Sequence, residues 1–172
     1  MIIDGKKCSE NLREKLKQKV LTFKTKPKIV DIQIGDNAAS DIYIKNKEKA
    51  ALSVGMDFEC IRFNESVEEN TIISKIDELN NDKSINGILV QMPIPDKYNY
   101  KRIINSINPE KDVDGLTYIN SGKLINNEEG MISCTPSGVI ELLKYYNIEI
   151  EGKNVVIVGR SILVGKPLAL LF

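Results

Sequence analysis

A lysine on the interior face of a predicted helix is the first residue whose position suggests chemistry. The segment from Ser40 to Val54 has helical periodicity, and at about 100° per residue it places Lys47 within a stripe of small and apolar residues. Tyr43 belongs to the same stripe, one helical turn earlier, so the two side chains are neighbours. Burial favours the neutral amine of a lysine, which suits proton transfer. The alternative is a lysine whose ammonium extends from the stripe into solvent.

A glutamine at the end of a predicted buried strand is the second candidate. The run Ile85 to Val90 is mostly apolar, as in a strand covered on both faces, and it ends in Gln91-Met92-Pro93-Ile94-Pro95. Ligands of open α/β sheets bind beyond the carboxyl ends of the strands, and a glutamine amide both donates and accepts hydrogen bonds. The two prolines favour an extended loop. A rigid connector between strand and helix is the alternative.

Two aspartates in a loop form the third candidate. Asp112 and Asp114 belong to the sequence Lys-Asp-Val-Asp-Gly at 111–115. Ionised carboxylates only accept hydrogen bonds, so they suit the amino and ring N–H donors of a heterocycle. Solvated turn residues are the alternative.

A glycine turn between a predicted strand and a predicted helix is the fourth candidate. The apolar residues 155–158 run into Gly159, and a helix follows, which is the arrangement that binds pyrophosphate. Ser161 and Val164 replace the second and third glycines of the common G-x-G-x-x-G pattern. The guanidinium of Arg160 has the planar fork that suits the 2′-phosphate of NADP. An ordinary strand-to-helix turn is the alternative.

Composition narrows the classes of function. The 172 residues include 24 Lys+Arg and 24 Asp+Glu, so no net charge attracts nucleic acid or an anionic membrane. The chain has no histidine, which removes His-based nucleophiles, His metal sites and the usual general base. Three widely spaced cysteines predict reduced thiols rather than a disulfide framework or a metal site. Without a membrane-length apolar run or a signal-peptide pattern, the expected location is the cytoplasm.

The order of predicted elements indicates an α/β protein with a parallel sheet. Helices are predicted over 8–23, 40–54, 100–107 and from about 135 to 146, the last with Thr135 as N-cap and Pro136 as first residue. Another helix is predicted after the capping-box spacing of Ser66 and Glu69. Strands are predicted over 29–34, 58–63, 85–90 and 154–158.

Weak periodicity over 108–130 predicts a domain boundary. We expect a first domain over 1–119 and the start of a second over 120–172. The chain ends within an apolar helical stretch, and a dinucleotide fold needs several further strands, so we expect a fragment of a longer protein.

In this order, the segments resemble the methylenetetrahydrofolate dehydrogenase/cyclohydrolase family. The matching stretches are GDNAASDIYIKNKEKA, NGILVQMPIP, INPEKDVDGL, CTPSGV and VIVGRSILVGKP. The resemblance implies a parallel-sheet catalytic domain followed by the beginning of a Rossmann-like NAD(P)-binding domain. It implies catalytic roles for Lys47, Tyr43 and Gln91. It implies folate contacts by Tyr43, Lys47, Val90, Gln91, Met92 and Asp114, and cofactor contacts by Thr135, Gly159, Arg160 and Ser161.

The resemblance also implies an activity in one-carbon metabolism that serves purine biosynthesis. 5,10-Methylenetetrahydrofolate would be oxidised with NADP, or NAD, as hydride acceptor, and the 5,10-methenyl product would be hydrolysed to 10-formyltetrahydrofolate. Lys47, kept partly neutral and hydrogen-bonded to Gln91, would handle the proton, Tyr43 would pack on the aminobenzoyl ring, and Asp114 would anchor the pterin. The family is usually homodimeric, and the fragment is expected to lack dehydrogenase activity.

Two other classes of function remain open at this point. Lys47 could form a Schiff base with a carbonyl substrate, as in an aldolase-like enzyme, and borohydride would then trap it. Alternatively, the chain could bind a folate or a nucleotide without turnover.

Overall fold

The computed structural model describes residues 2–172 and has the alternation of helices and strands that the sequence predicts. In chain order the elements are α1 (Gly5–Val20), β1 (Lys28–Ile34), α2 (Ala38–Ser53), β2 (Asp57–Phe63), α3 (Glu69–Asn81), β3 (Gly87–Val90), α4 (Tyr100–Ile104), α5 (Tyr118–Ile125), α6 (Cys134–Tyr145) and α7 (Gly165–Leu171).

The strands form a parallel sheet in the order β2-β1-β3, so β1 is central. Ile29 pairs with Phe58 on one side and with Gly87 on the other. The helices α2 and α3 connect successive parallel strands, which is the βαβ arrangement. The predicted α/β class and parallel sheet are therefore confirmed.

The two faces of β1 differ in chemistry because successive side chains of a strand point to opposite sides. Val30, Ile32 and Ile34 belong to the main core cluster, together with Ile72 and Ile76 of α3. Full burial of one such aliphatic side chain contributes about 1.5–3 kcal/mol to folding. The alternate side chains, Asp31 and Gln33, contact residues of α2 instead. The sheet thus has an apolar layer on one side and a polar layer beneath α2 on the other.

Helix α2 is bounded by local chemistry that the sequence partly predicts. The side chain of Asn37 accepts a hydrogen bond from the Ser40 amide at 3.1 Å, so the helix begins two residues before the predicted start. It ends where Gly55 adopts a φ of +87°, a left-handed conformation that suits glycine and was predicted for this position.

The buried stripe of α2 is rotated relative to the prediction. Tyr43 was predicted to face the interior, but it is 64% exposed, and Ile44 is buried in its place. Ser40, Ile44, Lys47 and Ala51 fall within about 60° of the helix circumference, whereas Tyr43 lies about 70° from the centre of that arc. The predicted stripe was therefore too wide, and Tyr43, at its border, is not buried in the structure.

Two predicted helix starts are each wrong by two residues. Ser66 does not cap α3, because its amide and hydroxyl bind the Asn64 side chain at 2.9 and 2.8 Å, and Glu68 is the N-cap. Thr135 is not the N-cap of α6, because Ser133 precedes the first helical residue. In both cases an oxygen-bearing residue nearby could fill the same position, and the sequence pattern did not distinguish between them.

Helix lengths between residues 100 and 130 also differ from the prediction. The helix α4 ends at Ile104 rather than Ile107. The stretch predicted to lack periodic structure contains α5, which Thr117 caps by accepting a hydrogen bond from Asn120 N. Its eight residues are too few to give a clear periodic signal.

The predicted strand over 154–158 is not formed. These residues are extended, but no strand pairs with them within the described range 2–172, and Val156 and Val158 are 87% and 99% exposed. A strand requires a neighbour for its backbone N–H and C=O groups. The apolar composition predicted the local conformation but not the pairing.

None of the helices in the described part of the chain is both long and apolar enough to cross a membrane.

Candidate active site

Lys47 is the centre of a small polar cluster between α2 and the sheet. Its Nζ donates a hydrogen bond to Gln91 Oε1 at 2.7 Å. The same Nζ lies 2.5 Å from Asp31 Oδ2, in an ion pair. The lysine side chain is one-third exposed, whereas the aspartate is completely buried. The cluster therefore extends from Asp31, which solvent does not reach, to Lys47, which is partly accessible.

The side chain of Gln91 has an orientation that its contacts determine. Its backbone amide continues the ladder between β3 and β1 by donating to Ile32 O at 2.8 Å. Its Oε1 faces Lys47, which can only donate, so its Nε2 faces the Met92 carbonyl. The predicted position of Gln91 beyond the carboxyl end of a strand is therefore present, and the glutamine is held from both sides. The peptide bond between Met92 and Pro93 is cis.

Asp31 is a buried carboxyl in the middle of the central strand. Desolvation raises the pKa of Asp31 above its ordinary value, and the neighbouring Lys47 ammonium opposes that rise. In the described part of the chain, Asp31 Oδ1 has no hydrogen-bond partner, and the contact of Oδ2 with Lys47 is an ion pair without hydrogen-bond geometry. A buried carboxyl with so few partners is costly, and Lys47 is the group that compensates it.

A cleft of about 220 Å³ opens beside this cluster. It is lined by the end of β3, the loop after it, the start of α6 and the segment before α7. Five of the predicted site residues line it together: Val90, Gln91, Met92, Asp114 and Thr135. The structure therefore brings predicted folate residues and one predicted cofactor residue to a common cavity.

Asp114 and Cys134 meet in this cleft. Burial raises the pKa of Asp114, while a contact from the Cys134 thiol, 3.6 Å from Asp114 Oδ1, opposes the rise. Cys134 lines the cleft, but protein atoms surround its sulfur. This desolvation, together with the neighbouring Asp114 carboxylate, raises the pKa of the thiol to about 11. At neutral pH the thiol is therefore a protonated, weak hydrogen-bond donor.

Tyr43 is not among the residues that line the cleft. Its exposed ring lies on the same helix as Lys47, one turn earlier, where it is accessible to a ligand. The structure leaves its predicted role in ring stacking as a prediction.

The glycine turn before α7 is closely packed. A Cβ added to Gly165 would lie 2.5 Å from the Gly159 carbonyl oxygen, so only glycine fits there. Ser161 Oγ accepts hydrogen bonds from the amides of Val164 and Gly165 at 3.1 and 3.5 Å. Gly159 and Ser161 line a depression of about 390 Å³ on the outer side of this turn. Arg160 lies between them and is exposed.

Three residues of the site were not predicted as functional. Asp31 was passed over because the strand was identified from its isoleucines and valine, and the signal available was an acid inside an otherwise apolar run. Ser133 and Cys134 line the cleft next to Thr135. The sequence feature that could have indicated them is their position directly before Thr135, a predicted site residue at a helix start.

Two family models match the chain. The catalytic-domain model of tetrahydrofolate dehydrogenase/cyclohydrolase matches residues 3–114. The NAD(P)-binding-domain model of the same enzymes matches residues 133–172. The second match includes Thr135 and the glycine turn.

Individual relatives agree with the family models. The bifunctional protein FolD of Streptococcus thermophilus is 43% identical over 175 residues, a match that covers 99% of this chain and 62% of the relative. The chain thus spans less than two thirds of the length of the curated relatives it matches.

Solved structures show the same relationship. The structure of the FolD methylenetetrahydrofolate dehydrogenase/cyclohydrolase from Campylobacter jejuni superposes with a TM-score of 0.97 at 41% identity, covering 99% of this chain and 62% of that one. The FolD structure from Trypanosoma brucei, a complex with NADP cofactor and inhibitor, has a TM-score of 0.93 at 30% identity and covers 99% and 60%.

Proposed function

Because the chain belongs to the tetrahydrofolate dehydrogenase/cyclohydrolase family, we propose that it provides the folate-side catalytic residues of such an enzyme. The reactions are the NADP-dependent oxidation of 5,10-methylenetetrahydrofolate and the hydrolysis of the 5,10-methenyl product to 10-formyltetrahydrofolate. The observation that carries the proposal is the 2.7 Å hydrogen bond between Lys47 and Gln91 at the edge of a cleft.

Hydrolysis needs a group that moves protons, and Lys47 is that group in this proposal. Water adds to the methenyl carbon and loses a proton, and the bond from that carbon to N5 breaks when N5 receives one. In a chain without histidine, a positioned lysine is a reasonable acid–base group. Gln91 fixes the direction of the ammonium through its oxygen, because its own amide is held by Met92.

Asp114 is proposed to anchor the substrate heterocycle. Its carboxyl lies in the cleft with Gln91, and within residues 2–172 it accepts a single weak hydrogen bond, from Cys134. Pterin amino and ring N–H groups are donors that would complete its shell. Val90 and Met92 would contact the apolar edges of the substrate, and Tyr43 would stack on its aminobenzoyl ring.

The residues of the glycine turn fit a dinucleotide. The close approach of Gly165 to Gly159 leaves backbone rather than side chains at the turn, which permits a pyrophosphate to come near. Gly159, Arg160, Ser161 and Thr135 would hold the cofactor, whose nicotinamide supplies the hydride acceptor when bound. Arg160, exposed beside the turn, would favour NADP over NAD by pairing with the 2′-phosphate.

Several finer features stay predictions within this proposal. The domain division between residues 119 and 120 is one of these predictions. The two proposed domains are in contact, because Asp4 N, at the start of α1, donates a hydrogen bond to the Tyr146 hydroxyl, at the end of α6, at 2.9 Å. A cytoplasmic location is supported by the free thiols of Cys8, Cys60 and Cys134. A homodimer and a role in purine biosynthesis rest on the family resemblance.

The 172-residue polypeptide by itself is expected to lack dehydrogenase activity. Hydride transfer needs the reacting atoms about 3–3.5 Å apart, and misplacement by about 1 Å can cost 10²-fold. The unpaired segment 154–158 leads directly into the cofactor turn, so that turn lacks the support of a sheet in the described residues.

A ligand titration followed by an assay tests the proposed function. The protein is titrated with a tetrahydrofolate analogue, and loss of methenyltetrahydrofolate absorbance is then followed over the uncatalysed rate. We expect saturable binding that Asp114→Ala weakens at least tenfold, while Asp36→Ala, outside the cleft lining, has no effect. Absence of both binding and hydrolysis in the full protein would contradict the proposal.

The same preparation distinguishes the other two classes of function. Borohydride trapping of a carbonyl compound on Lys47 would indicate a Schiff-base enzyme. Binding of the analogue without hydrolysis by the full protein would indicate a binding module.

A further inference from the structure

We propose that Asp31 is a positioning residue for Lys47, which keeps the lysine charged and aimed so that it acts in hydrolysis as a proton donor to the folate nitrogen. This inference rests on the proposed function. It concerns a residue that lies behind the cleft and reaches the substrate only through Lys47.

The first support is the isolation of the pair. Asp31 is completely buried, and Lys47 Nζ, at 2.5 Å from Oδ2, is the only cation that contacts it among the described residues. Its other oxygen has no hydrogen-bond partner there. A buried carboxyl with a purely structural role is expected to accept several hydrogen bonds. Asp112 is such a case, because it accepts from Leu116 N, Thr117 N and Asn120 Nδ2, and Asp31 differs from it in this respect.

The second support is the number of donors on the lysine. An ammonium has three N–H groups, and one of them donates to Gln91. Of the two that remain, Asp31 attracts one from the buried side. The third is left for the exposed side of the lysine, whose partner Gln91 lines the cleft although Lys47 itself is not among the lining residues. A ligand nitrogen there would meet an N–H whose direction Asp31 and Gln91 together define.

The third support is electrostatic. An anion beside Lys47 favours the ammonium over the neutral amine, which is the opposite of what burial alone predicts. Burial raises the pKa of Asp31 and the Lys47 ammonium opposes that rise, so the ammonium and the carboxylate stabilise each other's charged forms. Besides Lys47, the titratable and charged groups that face Asp31 are its register partner Cys60 and Arg62, both of β2, and Asp114 of the cleft.

The proton balance of hydrolysis agrees with this role. Water forms a bond to the methenyl carbon and gives up one proton, the carbon–N5 bond breaks as N5 takes the proton of the ammonium, and the neutral amine recovers a proton from the adduct. One proton is released overall, and no oxidant or further reactant is needed. The lysine must be charged when the C–N5 bond breaks, and the carboxylate of Asp31 stabilises that charged form.

Asp31→Asn in the full protein tests the inference, because the amide keeps the shape and removes the charge. We expect the alkaline limb of the hydrolysis rate to move to lower pH by about one unit or more, as for loss of an opposite charge at this distance. The plateau kcat should fall about tenfold, with the KM for the methenyl substrate changed less than about twofold. The variant should still fold, with a melting temperature at or below that of the parent, because Lys47 loses its buried counter-charge but is one-third exposed and can stay hydrated.

Asp112→Asn is the matched control, since Asp112 is also buried but binds backbone and Asn120 rather than Lys47. It should lower the melting temperature and leave the pH profile of the folded protein in place. An unchanged profile in Asp31→Asn, in a parent that hydrolyses the substrate, would overturn the role of Asp31. A parent without hydrolysis would instead contradict the proposed function itself.

Discussion

Gly165 packs against Gly159 so closely that a Cβ on Gly165 would lie 2.5 Å from the Gly159 carbonyl oxygen and 2.6 Å from its carbonyl carbon. Gly165→Ala should therefore push the turn open. The expected result is loss of NADP affinity by tenfold or more, measured by titration of the full protein, with folate-analogue binding retained.

Gly138→Ala is the control for that substitution. Gly138 is an exposed residue of α6, and an added Cβ would meet no atom of the described residues within 4 Å. Alanine there should leave NADP binding unchanged and stabilise the protein by up to about 1 kcal/mol, since glycine is a poor helix former. Equal NADP affinities of the two variants would show that the turn does not contact the cofactor.

Lys47→Met should abolish most of the cyclohydrolase activity. Loss of an acid–base group lowers a rate by about 10²–10⁴, and the thioether side chain fills similar space without a proton to transfer. The measurement is the loss of methenyl absorbance, with folate-analogue affinity determined separately. Affinity should survive in part, because Asp114 and the cleft walls remain.

Lys45→Met is its matched control on the same helix. Lys45 is exposed, and in residues 2–172 it forms no ion pair, so its removal should leave the rate within about twofold of the parent. A Lys47→Met variant that hydrolyses as fast as Lys45→Met would show that another group moves the proton.

Arg160→Ala should discriminate between the two nicotinamide cofactors. Only NADP has the 2′-phosphate, so its affinity should fall by tenfold or more while that of NAD changes little. The measurement is the Kd of each cofactor for the full protein. Lys153→Ala, an exposed lysine before the extended segment, should change neither. Equal losses for NADP and NAD would assign Arg160 to the structure of the turn.

Cys134 should react slowly with alkylating reagents at neutral pH. The thiolate is the reactive form, and a thiol with a pKa of about 11 has about one thousandth of its population in that form at pH 8. The rate of carboxymethylation, located by mass spectrometry, should rise about tenfold per pH unit up to about pH 11. Asp114→Asn should speed the reaction at pH 8, because a neighbouring carboxylate disfavours the thiolate. A rate that levels off near pH 8 would contradict this environment.

Much of the fold follows from periodicity, because burial on one or both faces controls where apolar residues occur. The three paired strands and the helices between them lie within a few residues of their predicted bounds. The helix face that holds Lys47 was also predictable. Tyr43 was misplaced because a helical stripe has a broad border, and only the packing of Ile44 decides which side of it is buried.

The parts of the site that sequence reasoning missed depend on long-range partners. Asp31 is unremarkable in an apolar strand until α2 places Lys47 over it, since a buried carboxyl is acceptable only when a cation compensates it. The segment 154–158 has a strand-like composition, but pairing needs a second strand. Gly165 was not identified as essential because its contact with Gly159 depends on how tightly the turn closes.

The central position of β1 has a consequence for the rates at which backbone amides exchange with solvent. Strand β1 is bonded to a neighbour on both sides, so its amides, including those around Asp31, should exchange only through large-scale opening of the sheet. The amides of 155–158 have no such bonds in the described chain and should exchange within seconds. Deuterium labelling should then find the groups beside Lys47 on the slowest-exchanging strand and the approach to the glycine turn, which we propose holds the cofactor, in the fastest-exchanging segment.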